Sequence, residues 1–104
     1  MHTLNYEFPA DRLPARGSHA GVVASGDLEV LLSPPDTGPA TAHVRVRTSI
    51  DGFDTVWQAV LSRFFTRTPL AGRWELNDSG ATPGVVALRL RQVAELALGT
   101  GEQQ

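Results

Sequence analysis

VVASGDLEVLL, residues 22 to 32, places branched apolar residues on both sides of Ser25-Gly26. Strand formers flanking a serine-glycine pair predict a β-hairpin, with strands over about 20–24 and 27–33 and a tight turn between them. Turn chemistry accounts for the glycine and tolerates the serine. It also sets Ser25 at a tip that solvent or a partner can reach. The question is whether that hydroxyl only closes a turn or is displayed for something to be attached.

The pattern extends outward from the hairpin. LNYEF puts Leu4, Tyr6 and Phe8 on one face of a strand, and PADRLPARGS, residues 9–18, breaks it with two prolines and a glycine. SPPDTGP, residues 33–39, is a loop, because prolines cannot donate to a sheet ladder. TAHVRVRTS alternates again, Ala42, Val44, Val46 and Thr48 opposing His43, Arg45, Arg47 and Ser49. The period changes after Gly52. In DTVWQAVLSRFF, Val56, Trp57, Val60, Leu61, Phe64 and Phe65 form a helical stripe, with Asp54 as the expected N-cap and Pro69 ending the helix near Arg67. GRWELND returns to period two. A second helix then opens with Thr82 as N-cap and Pro83 at its first position, and runs Val86, Leu90, Val93 and Ala97 down one stripe to Gly99. The order strand, hairpin, strand, helix, strand, helix predicts an α+β fold. It is a two-layer sandwich, with a largely antiparallel sheet of about five strands and two helices on one face. A single domain over 1–104 is expected, its tail fraying from about residue 99.

Composition narrows the function. The 104 residues carry 9 basic and 11 acidic side chains, a formal net charge of -2, which argues against nucleic acid or an anionic membrane as partner. All the basic residues are arginines, a weak lean toward anion contacts that a GC-rich coding bias explains better. With no cysteine there is no disulfide, thiolate metal site or thiol nucleophile, so thiol chemistry has to be imported. No run approaches the roughly 18 apolar residues of a membrane span, and MHTLNYEFPADR lacks the pattern of a signal peptide. The expectation is a soluble cytoplasmic protein.

The candidate sites have plain alternatives. His2, His19 and His43 are far apart and form no i, i+4 pair, so no metal site is expected. Asp27 and Glu29, two apart on a strand, and Asp51 with Asp54 read as surface charge rather than an acid/base pair. SGATPG at a helix start lacks the lysine and spacing of a nucleotide loop and reads as a cap. Neither Ser25 nor Ser79 sits in a Gly-x-Ser-x-Gly elbow. The residues alone describe an α+β domain without the machinery of a stand-alone enzyme, and leave Ser25 as a turn residue.

Two blocks carry more than turn chemistry. VVASGDLEVLL followed by HVRVRTSID, and then NDSGATPGVVALRLRQV, resemble the acyl carrier (delta) subunit of malonate decarboxylase and, more distantly, the acyl carrier (gamma) chain of citrate lyase. The likeness runs over most of residues 3–98, while DRLPARGSHA and SPPDTGPA match nothing firmly. Its specificity lies in the order of parts: Ser-Gly-Asp before an alternating strand, a proline-rich loop, a strand ending in Thr-Ser, and an Asp-x-Gly-Ala-Thr-Pro-Gly helix start.

The resemblance implies a covalent prosthetic group, 2'-(5''-phosphoribosyl)-3'-dephospho-CoA, joined through a phosphodiester to Ser25, with Gly26 and Asp27 completing the attachment motif. It implies a non-catalytic carrier subunit whose acetyl thioester is exchanged for malonyl and returns as acetyl after decarboxylation. The implied partners are an acyl-carrier transferase subunit, decarboxylase subunits, a malonyl transferase and a prosthetic-group transferase. Ordinary acyl carriers are helical bundles with the serine in Asp-Ser-Leu at a helix start. Here Ser25 lies between strands, and Asp78-Ser79-Gly80 lacks the leucine. An unmodified interaction or scaffold domain remains the second reading, and a small hydrolase or transferase the third. Arg45 and Arg47 read first as a solvated strand face, and otherwise as steering the arm's phosphates or an acidic partner surface; Asp27 is either read by the modifying enzyme or stabilises the turn.

Overall fold

Alternating segments become strands wherever one parity of side chains can be buried. The computed structural model describes residues 1–36, 38 and 40–99. Its elements are β1 (His2–Pro9), β2 (Ser18–Ala20), β3 (Asp27–Ser33), β4 (Thr41–Thr48), α1 (Asp54–Arg67), β5 (Gly72–Ser79) and α2 (Pro83–Ala97). The tail expected to fray lies outside the described residues beyond Gly99, as do Thr37 and Pro39 of the proline-rich loop. The sheet order is β1-β4-β5-β3-β2. Three of its pairings are antiparallel, and the central β4–β5 pair is parallel, joined by α1 as the crossover that parallel neighbours require.

The buried parity faces both helices. Leu28, Val30 and Leu32 of β3, Ala42, Val44 and Val46 of β4, and Trp74 and Leu76 of β5 meet Trp57, Leu61 and Phe65 of α1 and Val86, Leu90 and Val93 of α2. Trp74 is fully buried, and its indole N–H donates to the Leu70 carbonyl at 3.1 Å, so the ring costs no unpaired donor. Phe64 and Phe65 meet it edge-on at 5.7 and 5.1 Å, and Phe8 stacks on Phe65 at 5.0 Å. The opposite face of the sheet is polar; His43 and Glu7, 3.3 Å apart across β4 and β1, are both exposed and contribute little. No described helix is long and apolar enough to cross a membrane.

Three local expectations need correction. The hairpin exists as β2–β3, but its first strand is Ser18–Ala20 rather than 20–24, and Val22 and Val23 are 58% and 62% exposed in a six-residue link. The chain leaves the sheet at Gly21, whose φ of +81° ends the extended run. The residue capping α1 is Phe53, with no side-chain hydrogen bond, and Asp54 is the first helical residue, where its charge still faces the positive helix end. Val56, expected in the buried stripe, is exposed. The second helix begins as predicted: Thr82 Oγ1 accepts the Val85 N–H at 3.3 Å and Pro83 follows.

Register brings three connections to one end of the sheet. Thr48 at the end of β4 is level with Asp78 near the end of β5, and Asp27 at the start of β3 is level with Ser79. The links 21–26, 49–53 and 80–82 therefore share that end.

Candidate functional site: the Ser25 loop

Ala24, Ser25, Gly26 and Asp27 form a turn in which the Asp27 N–H donates to the Ala24 carbonyl at 2.9 Å. Gly26 has φ +80°, the positive value that the third position of a type II turn demands. Its own N–H is not used within the hairpin: it donates to the Ser79 carbonyl at 2.8 Å, binding the turn to the end of β5. Ser25 is exposed, and among the described residues its hydroxyl has no hydrogen-bond partner.

Asp27 holds the far side of the loop. Arg89 of α2 grips it with both prongs, Nε to Oδ1 at 3.0 Å and Nη2 to Oδ2 at 2.8 Å, while the Leu28 N–H donates to Oδ1 at 2.7 Å. A second acceptor fixes the guanidinium, since Nη1 donates to Gln92 Oε1 at 2.9 Å. The Arg89 fork is the main reason the Asp27 carboxyl titrates below its ordinary range, with the backbone amide of Leu28 next and that of Val22 adding a smaller part. Reciprocally, Asp27 raises the Arg89 pKa. Planar two-point pairing fixes direction as well as charge. Of the two roles left open for Asp27, the contacts favour stabilising the turn.

The sign of the linkage follows. A carboxyl depressed in the folded state contributes stability that is present above its unfolded pKa, about 3.9, and is lost as pH falls through the folded value. Backbone amide NMR shifts of residues 22–28 are therefore expected to stay flat from pH 8 to about 5 and to move together below about 4. Asp27→Asn or Arg89→Lys should produce the loosened loop already at pH 7; unchanged amide exchange at Gly26 in both variants would show that the clamp does not hold the loop.

The other predicted candidates are distributed differently. Glu29 accepts from Asn77 Nδ2 at 3.1 Å, so the two β3 carboxylates turn to separate partners rather than facing a common cleft. Among the described residues no cluster of three or more His, Asp or Glu is close enough to hold a metal. Ser79 contributes its backbone carbonyl to the Ser25 turn. Beside it, Asp78 is buried, accepting from Thr48 Oγ1 at 2.9 Å and from the Ala81 N–H at 3.0 Å, while Thr48 Oγ1 accepts the Ile50 N–H at 3.0 Å. This bracket ties the ends of β4 and β5 to the start of α2. Thr48→Val keeps the shape and leaves a buried carboxylate oxygen and an amide unpaired; it is expected to cost about 1–3 kcal/mol in urea unfolding.

The arrangement offers a nucleophile-type atom without activation. Among the described residues no base or oriented partner touches the Ser25 hydroxyl. What it provides is access and position.

Residues 15–97 match the family model for the malonate decarboxylase delta subunit (MdcD), a span containing the Ser25 loop, Asp27 and Arg89. The chain belongs to that family. Relatives of this delta subunit family include the malonate decarboxylase acyl carrier protein of Pseudomonas fluorescens (strain SBW25), 47% identical over 93 residues that cover 88% of this chain and 92% of that protein. The protein of the same name from Stenotrophomonas maltophilia (strain R551-3) is 46% identical over 105 residues, covering 97% and 98%. A chain from the crystal structure of a Pseudomonas malonate decarboxylase hetero-tetramer in complex with malonate superposes with a TM-score of 0.86 at 44% identity, covering 93% of this chain and 99% of its own.

Sequence reasoning missed Arg89. A charged residue on the flank of an apolar helical stripe is a signal that a partner exists. Nothing in the order of residues says that the partner is 62 positions away.

Proposed function

We propose that the protein is the acyl carrier subunit of a malonate decarboxylase, carrying acetyl and malonyl groups on 2'-(5''-phosphoribosyl)-3'-dephospho-CoA attached through a phosphodiester at Ser25. The observation that carries this reading is an exposed serine hydroxyl, without a hydrogen-bond partner among the described residues, in a loop fixed at both ends. Membership of a family whose named relatives are malonate decarboxylase acyl carrier proteins supports it.

When attached, the group supplies the thiol, and so the thioester linkage, that a chain without cysteine lacks. Ser25 Oγ contributes the linking oxygen, and its proton is taken by the modifying enzyme. Gly26 has open space around it, a Cβ there meeting nothing within 4 Å, which lets a modifying enzyme approach the backbone. Asp27 acts through position, its carboxylate being engaged by Arg89. Tethering at a fixed loop raises the cargo to about millimolar effective concentration at each neighbouring site. The chain is then a non-catalytic partner of a prosthetic-group transferase, an acyl-carrier transferase subunit, a malonyl transferase and decarboxylase subunits; the hetero-tetrameric assembly of the structural relative supports a multi-subunit setting.

Exposed Val22 and Val23 beside Ser25 also suit a second reading, an unmodified docking domain. Intact-mass analysis of protein co-expressed with its modifying enzymes separates the two. The carrier reading expects a phosphate-containing adduct that maps to Ser25; an unmodified wild-type mass under those conditions overturns it in favour of the scaffold.

A further inference from the structure

The end of the sheet that carries Ser25 also carries a mostly apolar groove of about 340 Å³ between the first turns of α1 and α2. Trp57 and Val86, both buried, form its inner wall, and Ile50, Phe53 and Val56 line its mouth, 39%, 48% and 41% exposed. Apolar side chains exposed singly need no explanation, but three around one opening do. Phe53 is the most telling. It stands at the N-cap of α1 without a capping bond, where serine, threonine, aspartate or asparagine is the favoured choice. A local rule broken at a groove mouth points to function rather than stability.

The groove adjoins the attachment loop. Gly26 donates its N–H to the carbonyl of Ser79, and the next residue, Gly80, lines the groove. A Cβ placed on Gly80 would stand 4.0 Å from the Gly26 nitrogen and 3.9 Å from Ile50 Cδ1, so this glycine is the sill between loop and groove. The volume lies at the low end of the about 300–1,000 Å³ of small-molecule sites. That suits a slender chain end with a small acyl group and is too little for the nucleotide portion of a coenzyme.

The charge lining the groove is selective. Among the described residues Asp78, held by Thr48 and Ala81, is the one charged residue that lines it, and no arginine or histidine does. An acetyl methyl meets apolar walls; a malonyl carboxylate would meet a like charge and lose its water without a counter-ion.

We propose that this groove seats the acetyl-bearing end of an arm attached at Ser25 and rejects the malonyl-bearing end, so that the uncharged cargo rests on the carrier while the charged one is left free for a partner. The inference rests on the carrier reading, and mass analysis checks that reading first: without an adduct at Ser25 the reading fails, whereas with one the remaining measurements address the groove alone.

The test compares apo, acetyl-loaded and malonyl-loaded protein. Acetyl loading is expected to shift the NMR signals of Ile50, Phe53, Val56 and Ala81 and the Trp57 emission, and malonyl loading is expected to leave them at their apo positions. Hydroxylaminolysis of the acetyl thioester is expected to run about tenfold slower than that of acetyl-CoA, the factor for an arm seated about nine-tenths of the time. Val56→Glu and Phe53→Ser should restore the free rate; the second also supplies a capping residue, so loss of folding does not confound it. Groove signals identical in all three forms, or a wild-type thioester as reactive as acetyl-CoA, overturn the proposal. So does a shift that appears only when larger subunits are added.

Discussion

Ser25→Ala is expected to fold normally and to take malonate-dependent carbon dioxide release by the assembled complex down to background. The side chain is exposed and its hydroxyl bonds to nothing among the described residues, so stability should change by no more than about 0.5 kcal/mol. The turn is kept by backbone contacts that alanine leaves alone: Asp27 N–H to the Ala24 carbonyl and Gly26 N–H to the Ser79 carbonyl. On the proposed attachment at Ser25 the functional loss is expected to be total rather than graded, because the chain has no cysteine to supply a thiol in its place. Ser79→Ala is the matched control. It removes a second serine beside a glycine at the same end of the sheet while keeping the carbonyl that anchors the turn, and it should retain adduct and activity. Urea unfolding, intact mass and carbon dioxide release on the three proteins check this together; an active Ser25→Ala complex would mean that no group attached at Ser25 takes part.

What the sequence disclosed and what it withheld divide along the range of the interactions. Val44, Val46, Trp74, Leu76, Val86, Leu90 and Val93 all lie at buried positions that period counting assigns, because burial on one face imposes its period directly. The cap at Thr82 is equally legible, being a contact over three residues. Val22 and Val23 misled because branched residues favour strands in general, whereas a glycine at positive φ just before them decides the local path. Val56 counts as part of a helical stripe, yet the stripe of α1 is wider than the face its neighbours cover, leaving Val56 on the groove mouth. The parallel β4–β5 pairing and the Arg89 clamp depend on segments brought together by the whole fold. Ser25 itself was legible as an exposed turn residue from chemistry, while the proposal that it is an attachment point rests on resemblance.

Two glycines on the same loop should respond very differently to a methyl group, and the contrast tests how the loop is built. Both have positive φ, +81° at Gly21 and +80° at Gly26, so alanine at either meets the backbone penalty of an L-residue in that region, about 1–2 kcal/mol. At Gly26 nothing lies within 4 Å of the added carbon, and the cost should stop there. At Gly21 the methyl would collide with the Leu28 carbonyl oxygen and press on Arg89 Cδ at 3.2 Å. Relief requires moving β3 backbone beside the β2 pairing and displacing the arginine that grips Asp27. Adding the roughly 1–3 kcal/mol typical of overpacking, Gly21→Ala should cost about 2–5 kcal/mol. It should also release the loop, with faster amide exchange at Gly26 and Leu28 and poor modification at Ser25, while Gly26→Ala stays folded with its Asp27–Arg89 clamp intact. Urea unfolding and exchange measurements on the pair decide it: equal costs would mean that Gly21 is only a turn residue and that the loop is not held against Leu28 and Arg89 at its entrance.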